Sequence, residues 1–260
     1  MAKKSFGQHF LLDLNITRKI ARLAQVGEGD MVIEVGPGPG GLTRALLETG
    51  AQVVAIEKDS RFEPLLEELA AASAGALTVR VEDALTADEA AIAGGRPAHI
   101  VSNLPYNVGT PLLIKWLTGA FRPASMTLMF QKEVAERVTA QAGAAAYGRL
   151  AVIAQATADA RLVMDAPARA FTPPPKVDSA VVRLVPRSDR PEPARLQALQ
   201  AVTAAAFGQR RKMLRSSLKA LGGEVLCEAA GVAPEARAET VPLSGFLALA
   251  DAWRAREGRL

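Results

Sequence analysis

Asn103, Leu104, Pro105 and Tyr106 stand together at the head of "NLPYNVGTPLL", residues 103–113. They offer a side-chain amide oxygen, a backbone carbonyl ahead of a rigid proline, and an aromatic face. That set suits an amino group carried on a flat base. The lone pair of an exocyclic amine such as N6 of adenine is delocalised into its ring and only weakly nucleophilic. Two neutral acceptors, the Asn103 amide oxygen and the Leu104 carbonyl, can hold the amine hydrogens and favour a tetrahedral-like nitrogen aimed at a methyl donor. No strong base is needed. Tyr106 can stack on a flipped base, worth about 1–3 kcal/mol, which offsets much of the few kcal/mol needed to unstack it. The plain alternative is a turn capped by asparagine and stiffened by proline.

A donor site is suggested by "VIEVGPGPGGLT", residues 32–43. Gly36, Gly38 and Gly41 satisfy the spacing of a dinucleotide turn, while Gly36, Gly38 and Gly40 with Glu34 before them fit the E-x-G-x-G-x-G turn of many S-adenosylmethionine enzymes. Glycine lets backbone approach a ligand closely, and a helix starting near Leu42 points its free N–H groups at whatever sits there. A methionine carboxylate suits that end, with Glu34 placed to meet the ammonium. Pro37 and Pro39 remove two donors, which tilts against a pyrophosphate. Glu57, about 20 residues on, stands where an acid can take both ribose hydroxyls of an adenosine. Asp83, in "VEDAL", can accept from an adenine amine or simply cap a helix. The turn alone leaves both cofactors open; Asn103–Tyr106 breaks the tie toward the methyl donor.

In "AFTPPPKVDSAVVRL", residues 170–184, three successive prolines, Pro173 to Pro175, hold an extended segment that can fix Phe171 over the second face of a base. By itself an edge loop with a buried phenylalanine reads as well. Lys176 is near enough in sequence to touch phosphate. His99 lies inside an apolar strand and reads as a core or capping residue.

These residues need a scaffold that brings distant turns together. Apolar runs at 31–35, 53–57, 77–83, 98–103 and 126–130 alternate with helical patterns, the signature of β-α-β units and a parallel sheet covered on both faces. Further strands are expected around 150–164 and at 179–185. The segment before Asp30 reads as a helix capped by Asp13 or Asn15, lying against the cofactor end of the sheet. After "PRSDRPEP", residues 186–193, the pattern turns purely helical, so the expected domains are 1–186 and 187–260.

With 260 residues and 49% hydrophobic side chains the chain can bury a sizeable core. Its start does not read as a signal peptide, and no apolar stretch is long enough to cross a bilayer, so a cytoplasmic address is expected. One cysteine and two histidines argue against a metal centre. The net charge of +4 is modest but uneven. Residues 194–223 carry Arg195, Arg210, Arg211, Lys212, Arg215 and Lys219 with no acid among them, and Lys3, Lys4, Arg18, Lys19 and Arg22 add to the first segment. The run "FGQRRKMLRSSLKAL", 207–221, reads as one helix with an apolar stripe at Phe207, Met213, Leu214, Leu218 and Leu221. Its cations are either a solvated face or an RNA-phosphate patch.

Taken in order, "FGQHFL", "EVGPGPGGLT", Glu57, "EDAL", "NLPYNVGTPLL", "FTPPPKVDS" and "FGQRRKMLRSSL" resemble the ribosomal RNA adenine N6,N6-dimethyltransferases, most closely their bacterial small-subunit group, from Lys4 to about Leu221. The resemblance implies a Rossmann-like class I methyltransferase sheet with a small all-helical C-terminal domain. It also implies S-adenosyl-L-methionine as cofactor and 16S rRNA in the immature small subunit as substrate, where two adjacent adenines near the 3′ end take four methyl groups. It places cofactor contacts at His9, Leu11, Gly36, Glu57, Asp83 and Asn103, and the target base among Asn103, Leu104, Tyr106 and Phe171. The family usually has asparagine where this chain has His9, which leaves the backbone there to serve. Nothing in the sequence asks for more than a monomer. The rivals are the large-subunit dimethyltransferases of macrolide resistance, a non-catalytic assembly or transcription factor, and a dinucleotide oxidoreductase.

Overall fold

The computed structural model describes residues 9–257. Lys3, Lys4, the first part of "FGQHFL" and the start that bears on a signal peptide lie outside the described residues. The chain forms two compact units, Met1–Ala135 with Ala160–Pro186, and Glu136–Asp159 with Arg187–Leu260. The chain thus parts at Pro186, and residues 136–159, which the sequence analysis assigns to the first domain, belong to the second unit.

In chain order the elements of the first half are β1 (Phe10–Leu11), α1 (Leu14–Ala24), β2 (Met31–Val35), α2 (Gly41–Leu47), β3 (Gln52–Glu57), α3 (Glu63–Ala72), β4 (Leu77–Val81), α4 (Glu89–Ala93), β5 (Ala98–Asn103), α5 (Gly109–Thr118) and β6 (Ser125–Gln131). They continue as α6 (Lys132–Thr139), α7 (Arg149–Thr157), β7 (Ala158–Ala166), β8 (Phe171–Thr172), β9 (Ser179–Pro186), α8 (Pro193–Gly208), α9 (Leu214–Ser217), α10 (Gly223–Ala229) and α11 (Leu243–Glu257).

Seven strands form one Rossmann-like sheet in the order β4-β3-β2-β5-β6-β9-β7. β2 to β6 run parallel and β9 is antiparallel to β6. From β2 the chain builds outward through β3 and β4, then returns to place β5 on the other side of β2. That reversal opens a crevice at the carboxyl ends of β2 and β5, where ligands of such sheets bind. β2 is buried at every position, as a central strand covered on both faces must be. Leu11, Ile20, Val32, Leu46, Val53, Val101 and Val181 are among the residues of one continuous core. Asp13 is the cap of α1, accepting from Asn15 N at 2.8 Å.

The strand expected around 150–164 is instead the helix α7 followed by the strand β7. A short apolar run has no period that separates a buried helix from a buried strand. Here Ala151–Ala154 are all buried, and Gly148 starts the helix.

The second unit is helical. The single helix expected over 207–221 is broken: α8 ends at Gly208 and α9 begins at Leu214. The cause is long-range. Leu214 N donates to Ala236 O at 2.8 Å and Arg215 N to Pro234 O at 3.0 Å, which draws this backbone onto another segment instead of its own preceding turn. Met213, counted in the apolar stripe, is 40% exposed. Phe207 packs on Tyr147 and Phe246, with ring centroids 6.0 and 5.4 Å away.

Candidate active site

Gly36 leaves β2 with φ +69°, a conformation that favours glycine, and a Cβ there would lie 3.4 Å from Cδ of Pro105. The glycine loop and the Asn103–Tyr106 corner therefore face each other across the crevice. Two adjoining cavities share Gly36, Glu57 and Pro105.

The smaller, about 70 Å³, lies under the strap His9–Leu11 and is walled by Glu34, the glycine loop and the Asn103–Tyr106 corner. β1 pairs with β8, setting Phe10 against Thr172 and Leu11 against Phe171. Asn103 Nδ2 donates to His9 O at 3.4 Å, which leaves Oδ1 as an acceptor. The His9 carbonyl is thus engaged by Asn103, while its imidazole Nδ1 lies 2.8 Å from Pro173 O and its ring 5.4 Å from that of Tyr106. Leu104 N donates to Met129 O at 3.3 Å, which anchors the corner to β6. The Tyr106 hydroxyl lies 3.1 Å from Ser179 Oγ, and burial pushes its phenol above the usual range, with Ser179 opposing. Tyr106 is therefore neutral, its hydroxyl held by Ser179 and its ring set beside that of His9.

Glu34 lines the same cavity and is almost wholly buried, with no hydrogen-bond partner for Oε2 among the described residues. Burial pushes its carboxyl up to about 8, the Thr43 hydroxyl holding it back and the Glu57 carboxylate adding to the rise. An unpartnered buried acidic oxygen on a cavity wall is costly unless a donor arrives, and an ammonium is such a donor. The residues present thus fit the amino-acid end of S-adenosylmethionine.

The larger cleft, about 310 Å³, opens between the ends of β3 and β4 and the start of α5. Glu57 Oε2 accepts from Gly38 N at 3.0 Å and Oε1 from Asp59 N at 2.8 Å. Its pKa is raised by burial against the pull of those N–H groups. A carboxylate has about four acceptor sites, so two remain for a ribose diol. Asp83 is held by Lys58 at 2.7 Å and accepts from Leu85 N at 3.0 Å, which keep its carboxyl below the usual range. Sequence reasoning did not find Lys58, Asp59, Ser60, Leu85, Asn107, Val108 or Leu112, all of which line this cleft. Their signal was position, since each follows or adjoins a strand end already singled out.

Two expected residues stand elsewhere. Phe171 is buried in the core opposite Leu11 and lines neither cavity, because an apolar ring beside a two-strand ladder gains more from the core than from an open crevice. Arg210 spends its guanidinium on Ala145 O and Tyr147 O, the latter at 3.2 Å, within its own unit. Arg215 stands 3.8 Å from Glu235. Arg211, Lys212 and Lys219 are exposed and have no ion-pair partner among the described residues. His99 is partly buried against Ser125 Oγ at 2.8 Å. No metal-holding cluster occurs among the described residues, and none of their helices is long and apolar enough to cross a membrane.

A family model described as ribosomal RNA adenine dimethylase matches residues 1–254. The chain belongs to the ribosomal RNA adenine dimethylase family. A "Ribosomal RNA small subunit methyltransferase A" from Phenylobacterium zucineum is 80% identical over 255 residues, 98% of this chain and 89% of that protein. One of the same name from Caulobacter vibrioides is 74% identical, covering 97% of each chain. Among solved structures, a dimethyladenosine transferase from Plasmodium falciparum superposes with a TM-score of 0.78 at 26% identity, covering 93% of this chain and 96% of that one. The 23S rRNA methyltransferase ErmE gives 0.71 at 27%, covering 94% and 99%. Both matches extend over more than nine-tenths of this chain, which has a Rossmann-like class I methyltransferase sheet and a helical C-terminal part.

Proposed function

We propose that this protein is a small-subunit ribosomal RNA adenine N6,N6-dimethyltransferase. It moves four methyl groups from S-adenosylmethionine to two adjacent adenines near the 3′ end of 16S rRNA in the immature subunit, working as a monomer in the cytoplasm. The observation that carries this reading is the facing of Asn103 and Leu104 against the glycine loop across Gly36 and Pro105. Relatives up to 80% identical bear the small-subunit name, whereas the 23S rRNA methyltransferase among the structural neighbours is 27% identical, so the large-subunit reading is disfavoured.

When bound, S-adenosylmethionine supplies a sulfonium-activated methyl. Glu34, protonated in the free protein at neutral pH, would release its proton to solvent and hold the ammonium; Glu57 would hold the ribose diol; Asp83 and the α5 wall would hold the adenine. Tyr106 presents one face to the target base. Asn103 Oδ1 and Leu104 O accept the two amine hydrogens, which turns the nitrogen lone pair out of conjugation and toward the crevice. Holding both partners in one geometry supplies most of the acceleration, because no hard proton transfer precedes attack, and the proton that the methylated amine sheds leaves afterwards to water. Pro105, without an N–H, keeps the corner from offering a donor where an acceptor is needed. Arg211, Lys212, Arg215 and Lys219 track RNA phosphates.

Incubation with labelled methyl donor and small subunits lacking the modification tests this. Label on N6 of two adjacent adenines is expected. Particle binding without transfer would instead favour a non-catalytic assembly factor, and label in large-subunit RNA the rival specificity.

A further inference from the structure

Beneath the larger cleft lies a buried polar cluster that the chemistry above does not use. Lys115 Nζ donates to Ala84 O at 2.9 Å, to Ala87 O at 2.6 Å and to Glu89 Oε1 at 2.8 Å. An ammonium has three N–H donors, and all three are spent here. The same Glu89 oxygen accepts from Trp116 Nε1 at 2.7 Å, with Glu89 and Trp116 both fully enclosed.

The placement of these partners gives the cluster its meaning. Ala84 belongs to the turn Asp83–Leu85 that forms one wall of the cleft, and Asn107, Val108 and Leu112 at the start of α5 form the facing wall. Lys115 and Trp116 follow on the same helix, about one turn after Leu112. One ammonium and one indole N–H on α5 therefore grip the segment 84–89 and set the distance between the two walls. A flat ring between such walls is sensitive to that distance, since a gap of about 0.5–1 Å forfeits a quarter to a half of each contact's dispersion energy.

We propose that Lys115, with Glu89 and Trp116, is the positioning group that sets the width of the adenine slot and the place of Asp83 within it. This rests on the reading of the cleft as the cofactor's adenosine site. Lys115 touches neither cofactor nor target base. The chain spends a half-buried cation where an apolar side chain would fill the space, because only a compact three-donor group can hold two carbonyls and a carboxylate at once.

Calorimetric binding of S-adenosylhomocysteine to the full chain is the test, with the parent, Lys115→Met, Trp116→Phe and the double variant Lys115→Met/Glu89→Gln, which leaves no unpaired carboxylate. The double variant is expected to bind about tenfold more weakly or worse, and Trp116→Phe to be weakened by a smaller factor, from loss of hydrogen bonds to charged groups. Preference over the inosine counterpart, in which a carbonyl replaces the amine, falls in step, while kcat at saturating cofactor and KM for RNA stay near parent values. Unchanged binding and preference in a folded double variant overturns the proposal, as does an equal loss for cofactor and RNA. Failure of the parent itself to bind S-adenosylhomocysteine overturns the reading of the cleft, and this inference with it.

Discussion

The crevice at the carboxyl ends of the strands and the 209–223 segment both gather polar side chains, but they hold them differently. At the strand ends three polar groups are fixed by sequence-distant elements: Asn103 by the His9 carbonyl, Tyr106 by Ser179, Glu57 by Gly38 N, while Glu34 Oε2 is left for a ligand donor. In the basic segment Arg210 is tied down by carbonyls, while Arg211, Lys212 and Lys219 are free among the described residues. The difference matches the two tasks. Aligning a lone pair with a methyl requires sub-ångström placement, whereas following a phosphate backbone is an electrostatic job that long mobile side chains do well.

The comparison breaks most sharply at Asn103. Asn103→Ala is expected to lower methyl transfer by about 10²–10³-fold, the usual cost of one preorganised polar group, with folding and RNA binding kept; unchanged single-turnover rates would remove Asn103 from its role. Glu34 comes next. Its folded pKa of about 8 lies above the usual 4.5, so the folded protein holds a proton that the unfolded chain releases. Stability is full below pH 4.5 and falls as pH rises toward 8, by up to about 1.4 kcal/mol per pH unit. Denaturant unfolding across that window should show the slope in the parent and a flatter one in Glu34→Gln.

Gly41 sharpens the point about close approach. A Cβ there would lie 2.6 Å from the Leu11 carbonyl, which as backbone cannot rotate aside. Gly41→Ala should cost about 1–3 kcal/mol, the usual price of overpacking, and loosen the strap over the cofactor cavity; equal melting temperatures for variant and parent would show that the strap yields freely. The smallest effects belong to the basic segment. Replacing Arg211, Lys212 and Lys219 by Gln should reduce the salt slope of particle binding by about 1 for each cation. Arg210→Gln should leave that slope alone and lower the melting temperature instead. Equal slopes for the triple variant and the parent would count against a phosphate patch.

Much of the crevice is legible in the sequence because its chemistry is packed into short stretches that directly follow strands, as at Gly36–Gly41, Glu57 and Asn103–Tyr106. The parallel sheet covered on both faces follows from alternation, whereas the order of its strands and the antiparallel β9 do not. What escapes reading depends on partners far along the chain. Arg210 stands 65 residues from Ala145, so nothing near it tells a structural arginine from a phosphate ligand. Phe171 faces the core because the sheet pairs it with Leu11, a register that local propensity does not encode. The apolar run that becomes α7 and then β7 carries both periods, and tertiary context decides where one gives way to the other. Lys115 falls in the same class: its sequence neighbours mark an ordinary helix, and only the fold brings the carbonyls of residues 84 and 87 to it.

The central claim is that donor and target meet between the glycine loop and the Asn103–Tyr106 corner. A crystal structure with S-adenosylhomocysteine bound tests it most directly. The account predicts the adenine between the Asp83 turn and the start of α5, the ribose on Glu57, the ammonium at Glu34, and the sulfur facing Asn103. A nucleoside seated elsewhere, with the corner left bare, would contradict it.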